Sequence, residues 1–469
     1  MKQLSLCRVN GGNLTKNLAM MDNDALHADR LDAILAAVEM GDADRLTALL
    51  EPLHAADIAD LLEQIGTASR RALLAMWSGE VDGEILSEID EAIREEVIES
   101  LPRDVLAEAM RELDSDDVID ILEDLDAPQQ EEILGALDKS ERAAIEAALA
   151  YPEGSAGRLM QREVVLAPQD WTVGAAIDHM RAAQALPDQF YHVILIDPRM
   201  KPTGYVTLGR LLSSKRDVRL DAILEDSFRT IPTTLGEADV AYMFNQYHLI
   251  SAPVIDNAGR LVGVITIDDA MNVLDEEHEQ DMLRLAGVGD TSAMSDGALA
   301  TVRQRLPWLV VNLFTASISA MVISQFQNTI ASLVVLAALM PIVASTGGIA
   351  GTQSLAVAVR ALAARSLTAA NARRVVLREM AGGLISGVAL ALILGAAGVM
   401  IFGDWHLGAV LGLAMIANQV VAAMGGVLVP LGLHRAGLDP ALASGTFVTT
   451  LTDVLGYLTF LGLASWILM

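Results

Sequence analysis

Five long apolar stretches in the last third of the chain constrain its fold more than any other feature. They cover approximately residues 306–326, 330–360, 380–402, 407–433 and 442–468. Each is long enough for the ~20 residues that a membrane-spanning helix needs. We therefore predict a transmembrane domain of five helices over residues 306–469.

Basic residues near these stretches predict the orientation in the membrane. They precede span one, separate spans two and three, and separate spans four and five, whereas the other two loops and the C-terminus have none. The basic positions are Arg303, Arg305, Arg365, Arg373, Arg374, Arg378 and Arg435. The positive-inside rule then predicts a multi-pass protein of the inner (plasma) membrane, with a cytoplasmic N-terminus and the C-terminus outside. No signal peptide is expected, because no apolar segment with a cleavage site opens the chain.

Charge divides the 469-residue chain into two unlike parts. The net charge is −29, but residues from Leu306 onward have six arginines, no lysine and four acids, which leaves −31 for residues 1–305. This asymmetry predicts an acidic soluble module joined to a membrane module. It also argues against nucleic acid as a partner, because phosphates need a basic surface.

Cys7 is the single cysteine, so neither a disulfide nor a cysteine metal site is possible within one chain.

Residues 24–150 have the spacing of short amphipathic helices. Apolar residues recur three and four apart, as in Leu31, Ile34 and Leu35, which predicts an all-α acidic N-terminal domain built as an array of helical hairpins. The segment 114–126 places apolar residues on one face and acids on the other. Those acids are Asp116, Asp117, Asp120, Glu123 and Asp124. The ordinary interpretation of such acids is a solvated face.

Residues 154–274 contain two α/β units that repeat with a 59-residue offset. Asp197 falls on Asp256, and the run GYVTLG (204–209) falls on GVITID (263–268). This repeat resembles a pair of CBS domains. The resemblance implies an adenine nucleotide as ligand, with Thr266 and Asp269 in the Thr-x-x-Asp spacing that holds a ribose. Arg210 replaces that acid in the first unit, so at most one standard site is expected. A CBS pair that only transmits force remains the alternative.

An acidic linker, residues 275–303, connects the soluble and membrane parts. Asp275 and Glu279 are four residues apart, as are Glu277 and Asp281. Like charges at this spacing destabilise an isolated helix, so a bound cation or a basic neighbour would relieve the repulsion. An exposed acidic helix that packs through its other face is the alternative.

Asp453 is the only formal charge in the last apolar stretch. An ionisable group at membrane depth costs roughly 3 kcal/mol and usually faces a bundle interior or a water-filled path. A lone carboxylate suits a cation, although a structural hydrogen bond to a neighbouring helix is the alternative. The polar groups near it in the spans are oxygen ligands, which favour hard cations such as Mg²⁺ or Ca²⁺.

Span two has a proline and three glycines within the run PIVASTGGIAGTQ (341–353). One interpretation is a broken helix whose free carbonyls face a cation. The other is close helix packing through small residues. Span four adds Asn418 and Gln419, and span five adds Thr449, Thr450 and Thr452.

Together these features resemble the MgtE family of magnesium channels over nearly the whole chain. The specific motifs are TGG-x-AG-x-Q in span two, DPA before span five, and FVTTLTDVLG within it. The chain departs from the family pattern at a few positions. They are Ile349, Thr446, Asn272, Gln280 and His248.

The resemblance implies a multi-domain protein in which an all-α N-terminal domain, a CBS pair, a linker (plug) helix and five spans form a homodimeric channel in the lipid membrane. The implied Mg²⁺ ligands, for transport or regulation, are Asp453, Asp439, Asp269, Glu277, Asp281, Asp117 and Asp120. The implied pore-lining residues are Thr346, Gly347, Gly348, Gln353, Asn418, Thr449 and Thr450. ATP or another adenine nucleotide is the implied modulator, and no enzymatic activity is expected. An exchanger or carrier for another divalent ion such as Co²⁺ stays open, as does a CBS-regulated membrane enzyme.

Overall fold

The computed structural model describes residues 28–288 and 298–469, apart from residues 78, 80, 124, 138, 184, 185, 188, 226, 227 and 369. The predicted start at residues 24–27, the acid Asp124 and linker residues 289–297 lie outside the described residues. The chain divides into two compact units, residues 1–274 and 275–469. The boundary along the chain falls where the sequence predicts the CBS pair to end.

The first unit begins with short helices, as the apolar spacing predicts. Their ends are defined by polar caps: Asp42 accepts the backbone N–H of Arg45 at 3.1 Å, and Asp126 forms a capping box with Gln129. One continuous apolar core runs through these helices. They are α1 (Ala28–Met40), α2 (Ala43–Leu50), α3 (Ala55–Gln64), α4 (Thr67–Trp77), α5 (Gly83–Glu88), α6 (Glu91–Ser100), α7 (Arg103–Glu112), α8 (Ser115–Glu123), α9 (Ala127–Ala136) and α10 (Lys139–Leu149).

The predicted repeat folds as two equivalent three-stranded sheets, β1-β2-β3 and β4-β5-β6, each with one parallel and one antiparallel pair. His192 pairs with Thr207 in the first sheet, and Ser251 pairs with Thr266 in the second, which is the same register 59 residues later. The elements are β1 (Leu166–Pro168), α11 (Val173–Ala182), β2 (His192–Ile196), β3 (Pro202–Thr207), α12 (Leu208–Ser213), β4 (Ile231–Pro232), α13 (Glu237–Tyr247), β5 (Ser251–Ile255) and β6 (Leu261–Thr266). The buried His192 ring is hydrogen-bonded to Ser251, so the two units are joined at equivalent positions.

Helix α14 (Ile267–Leu285) follows β6 directly. The predicted linker is therefore not a separate helix, because the last helix of the CBS pair continues into it without a break.

The second unit contains five helices that are long and apolar enough to cross a membrane, counted among the described residues. The number of spans is as predicted, and the helix ends differ from those of the apolar stretches by up to eight residues, as where the third span begins at Ala372 and not at residue 380. A short helix, α16 (Gln327–Ser332), occupies the predicted beginning of span two. The five spans belong to α15 (Ala298–Ser324), α17 (Val335–Ala363), α18 (Ala372–Phe402), α19 (Trp405–Arg435) and α20 (Pro440–Ile467).

Span two is a continuous helix, so the broken-helix interpretation is wrong. Helix α17 passes through Pro341 and the glycines without interruption. Gly347 and Gly351 are buried against neighbouring helices; a Cβ at Gly351 would lie 2.7 Å from Cγ1 of Val448 in α20. The glycines therefore permit close packing of helices, which is the second interpretation of the motif.

Candidate cation and nucleotide sites

Asp453 lies half-buried in the middle of α20. No hydrogen bond or ion pair joins its carboxylate to another described residue. Nearby hydroxyls are turned back onto their own helix: Thr450 donates to the carbonyl of Thr446 at 2.7 Å, and Thr452 donates to that of Thr449 at 2.8 Å. Asp453 is thus a carboxylate at membrane depth with no counter-charge in the described part of the chain, which is the setting that a cation would complete.

The exposed face of α17 carries several of the predicted pore-lining groups. Thr352 and Gln353 are exposed, while Thr346 and Gly348 are half-buried. The Thr346 hydroxyl donates to its own helix, to the carbonyl of Ile342 at 2.6 Å. Gly351 packs against α20, so this face and Asp453 belong to adjacent helices.

Two residues predicted to line the pore lie inside the bundle instead. Asn418 is fully buried in α19, and its amide donates to the carbonyl of Val343 at 2.8 Å. Gly347 is buried directly against that amide. Because Gly347 has no side chain, α17 comes close enough for the Asn418 amide to reach its backbone.

Among the described residues, no group of three or more His, Cys, Asp or Glu side chains has the arrangement of a metal site.

The end of α14 is joined to the start of α20 by an ion pair. Arg284 contacts Asp439 with an N–O distance of 3.1 Å, and their side chains are 19% and 30% exposed. Asp439 also caps α20 by accepting the backbone N–H of Ala441 at 2.7 Å. Burial and the nearby Asp439 raise the pKa of Asp281, whereas Arg284 opposes that rise. Arg284 is therefore a basic neighbour of one linker acid, Asp281. Glu277 is half-buried on the same helix.

A second acidic cluster forms where α8 meets the start of α14. Asp116 and Asp269 share a side-chain hydrogen bond, which opposes the rise that burial causes in the pKa of Asp269. Burial is the main cause that raises the pKa of Asp269 to about 6 and the pKa of Asp117 to about 7. Burial, followed by the charge of Asp269, raises the pKa of Asp116 well above its ordinary value. These carboxyls are half-buried, so the solvated-face interpretation is wrong for Asp116 and Asp117.

Asp120 follows the ordinary interpretation. It is exposed and pairs with Arg94 at 2.9 Å.

The two residues predicted to bind a ribose are already hydrogen-bonded within the protein. The Thr266 hydroxyl donates to Asp269 at 2.6 Å, and Asp269 is bonded to Asp116 as well. In the first unit, Arg210 contacts the carbonyl of Leu224 at 3.1 Å and Glu225 at 3.3 Å. Arg210 thus occupies the position where the first unit would need an acid.

Sequence reasoning missed Arg284 and the role of Asp116. The charge pattern predicted a cation or a basic neighbour for the linker acids but did not identify which. Nothing in the local sequence pairs Asp116 with Asp269, because only the fold brings the two segments together.

These features define the class of protein: a multi-pass membrane protein that carries a CBS-domain module. Family matches cover three segments: "MgtE intracellular N domain" over residues 53–154, "CBS domain" over 156–217 and 222–276, and "Divalent cation transporter" over 340–463.

The chain is also similar to magnesium transporters of known sequence. It is 33% identical to the magnesium transporter MgtE of Enterococcus faecalis, over 68% of this chain and 71% of the relative. It is 31% identical to the MgtE of Thermus thermophilus, over 69% and 72%. A solved cytosolic domain of the Mg²⁺ channel MgtE in complex with ATP is 27% identical, covers 52% of this chain and 99% of its own, and gives a TM-score of 0.48. The chain belongs to the MgtE family of magnesium transporters.

Proposed function

We propose that the chain is a Mg²⁺-selective channel that takes up Mg²⁺ across the inner (plasma) membrane as a homodimer. The observation that carries the proposal is Asp453, a carboxylate in a membrane span with no counter-charge among the described residues. A ring of acids at the narrow part of a pore is a common way to select cations.

In this proposal, two copies of α20 face each other and place both Asp453 carboxylates at the narrow part. The same path is lined by Thr346, Gly348 and Gln353 of α17 and by Thr449 and Thr450 of α20. Because Mg²⁺ gives up its water reluctantly, the carboxylates would hold a largely hydrated ion. The N-terminus faces the cytoplasm, in agreement with the basic loops.

We further propose that cytosolic Mg²⁺ closes the channel. Asp116, Asp117 and Asp269 hold protons at unusually high pH because they are buried near one another. A divalent ion would neutralise them and strengthen the contact of α8 with α14. Asp281 and Asp439, within the membrane unit, form a second acidic pair that a divalent ion would neutralise. Glu277 completes the proposed regulatory set, whereas Asp120, which is exposed and paired with Arg94, is left out of it.

An adenine nucleotide is the proposed modulator of the CBS pair. The support is the Thr266–Asp269 pair in the second unit. Because Asp116 already holds Asp269, nucleotide and N-terminal domain would compete for one carboxylate.

The test of the transport proposal is Mg²⁺ uptake by magnesium-transport-deficient cells that express Asp453→Asn. Removing the charge without changing the side chain's size should lower uptake about tenfold or more, because the acid ring selects the cation. Asp404→Asn is the matched control, since Asp404 is an exposed acid that caps α19 through the backbone N–H of His406.

Normal uptake by a well-expressed Asp453→Asn protein would contradict the pore assignment. Single-channel currents distinguish a channel from an exchanger, and a preference for Co²⁺ over Mg²⁺ would favour the carrier for another divalent ion.

A further inference from the structure

Asn418 lies where three of the membrane helices meet. It is fully buried in α19 and contacts a glycine on each side, Gly347 of α17 and Gly456 of α20. A Cβ at Gly347 would overlap with the Asn418 amide. A Cβ at Gly456 would lie 3.0 Å from Asn418 Nδ2 and 3.1 Å from its Oδ1, which is tighter than ordinary van der Waals contact. The amide therefore fills the space that the two glycines leave.

The contact with α17 is polar as well as steric. Asn418 Nδ2 donates to the carbonyl of Val343 at 2.8 Å. Oδ1 of the same amide has no hydrogen-bond partner among the residues that the structure describes. An amide inside a membrane bundle is costly unless both of its ends are bonded, so an amide is a destabilising choice for a residue that only fills space.

The two helices that Asn418 contacts are the two that carry the proposed ion path. Asp453 precedes Gly456 by three residues and therefore lies within one turn of it on α20. Gly347 adjoins Thr346 and Gly348 on α17. Any change in how Asn418 fits between the glycines would shift Asp453 relative to the polar face of α17.

We propose that Asn418 is a positioning residue that sets the distance between α17 and Asp453, and that it does not itself touch the permeating ion. This inference rests on the proposed function. It predicts that the junction formed by Gly347, Asn418 and Gly456 determines ion discrimination as well as the amount of folded protein.

The first experiment compares Gly456→Ala with Gly462→Ala. Both add one methyl group to α20, but a Cβ at Gly462 has no atom within 4 Å, whereas one at Gly456 meets Asn418. Uptake is measured against Mg²⁺ concentration, with Ca²⁺ and Co²⁺ as competitors, and is normalised to protein in the membrane. Gly456→Ala should change the half-saturating Mg²⁺ concentration or the ion preference about threefold or more, as expected for groups in direct contact. Gly462→Ala should change neither.

The second experiment asks whether the effect passes through the amide. Asn418→Ala removes the group that the new methyl meets, so Gly456→Ala/Asn418→Ala should recover ion preference towards that of Asn418→Ala alone. A merely structural defect would lower the maximal rate together with the protein level and leave ion preference unchanged. Should Gly456→Ala not accumulate in the membrane, Asn418→Ala alone must still alter ion preference.

Two outcomes would overturn the inference: equal behaviour of Gly456→Ala and Gly462→Ala, or an Asn418→Ala protein with unchanged half-saturation and ion preference. Failure of the proposed function is distinct from both, because it would appear as no Mg²⁺ uptake by the unchanged chain.

Discussion

At the scale of single residues, Asp269 is a predicted ligand whose carboxylate already has several hydrogen-bond partners within the protein. It accepts from the backbone and hydroxyl of Thr266 and is hydrogen-bonded to Asp116 of α8. Two carboxyls in one hydrogen bond must share a proton. The contact between α8 and α14 therefore depends on pH.

The raised pKa values predict how stability depends on pH. A folded-state pKa above the ordinary value means that the folded protein binds the proton more tightly than the unfolded chain. The resulting stabilisation is fully present below the ordinary pKa, 3.8, and is lost as pH rises through about 6 for Asp269 and about 7 for Asp117. Without divalent ions, the soluble fragment 24–300 should melt at a lower temperature at pH 8 than at pH 5.

Asp116→Asn should reduce this dependence, because an amide can donate to Asp269 without titrating. We expect a difference on the order of 1 kcal/mol, or about 3 °C in melting temperature, between pH 5 and 8. Thermal melts of fragment 24–300 check it, with Glu39→Gln of α1 as the exposed-acid control. A pH dependence identical in Asp116→Asn and the unchanged fragment would remove the proton-sharing interpretation.

At the scale of elements, the contact between α14 and α20 belongs to the membrane unit. Arg284 contacts Asp439 at the first turn of α20, the helix that carries Asp453. The pair is partly buried, so a contribution of about 1 kcal/mol is reasonable. In the proposed channel, this contact holds the linker helix beside the start of span five.

Arg284→Gln should therefore weaken closure. We expect residual Mg²⁺ uptake at high cytosolic Mg²⁺ to rise about fivefold, which corresponds to about 1 kcal/mol in the balance of open and closed forms. Asp439→Asn is the matched variant, because asparagine also caps a helix while losing the charge. Each single change should have a similar effect, and the double change should add little. Additive effects would mean that the two residues act separately.

Helices and strands were predictable where the sequence itself carries a regular pattern. The short helices follow from apolar spacing, and the CBS sheets follow from the 59-residue offset, which recurs in the strand register. The continuity of α17 was not predictable, because Pro341 and the glycines fit a broken helix equally well until their packing partners are known. The burial of Asn418 was not predictable either, because the sequence does not show which groups surround it. A polar residue in a span can face an ion path or a backbone carbonyl, and Asn418 donates to a carbonyl.

At the scale of the whole molecule, charge and membrane segments are segregated along the chain. The −31 carried before Leu306 can be a sensor for cations or a solubilising surface. The half-buried acids near Asp269 favour the sensor, because a purely solubilising acid would be exposed.

Limited proteolysis separates these two interpretations. Fragment 24–300 should become more resistant to protease as Mg²⁺ rises through about 1 to 10 mM, the affinity expected of loosely built oxygen sites. Na⁺ at matched ionic strength is the control, because screening depends on ionic strength and not on the identity of the ion. Equal protection by both salts would leave the acidic part as a solvated surface.

The length of the spanning helices has a consequence for the lipid around them. Helices α17, α18 and α19 contain 29, 31 and 31 residues. At 1.5 Å per residue they are about 45 Å long, against a hydrocarbon core of about 30 Å. Their ends must project into the headgroup region or the helices must tilt, and the amount of tilt depends on bilayer thickness. Asn418 of α19 contacts α17 and α20 near the middles of these helices. We therefore expect the bundle to adapt to a thinner or thicker bilayer by tilting as one body, with the largest displacements at the helix ends.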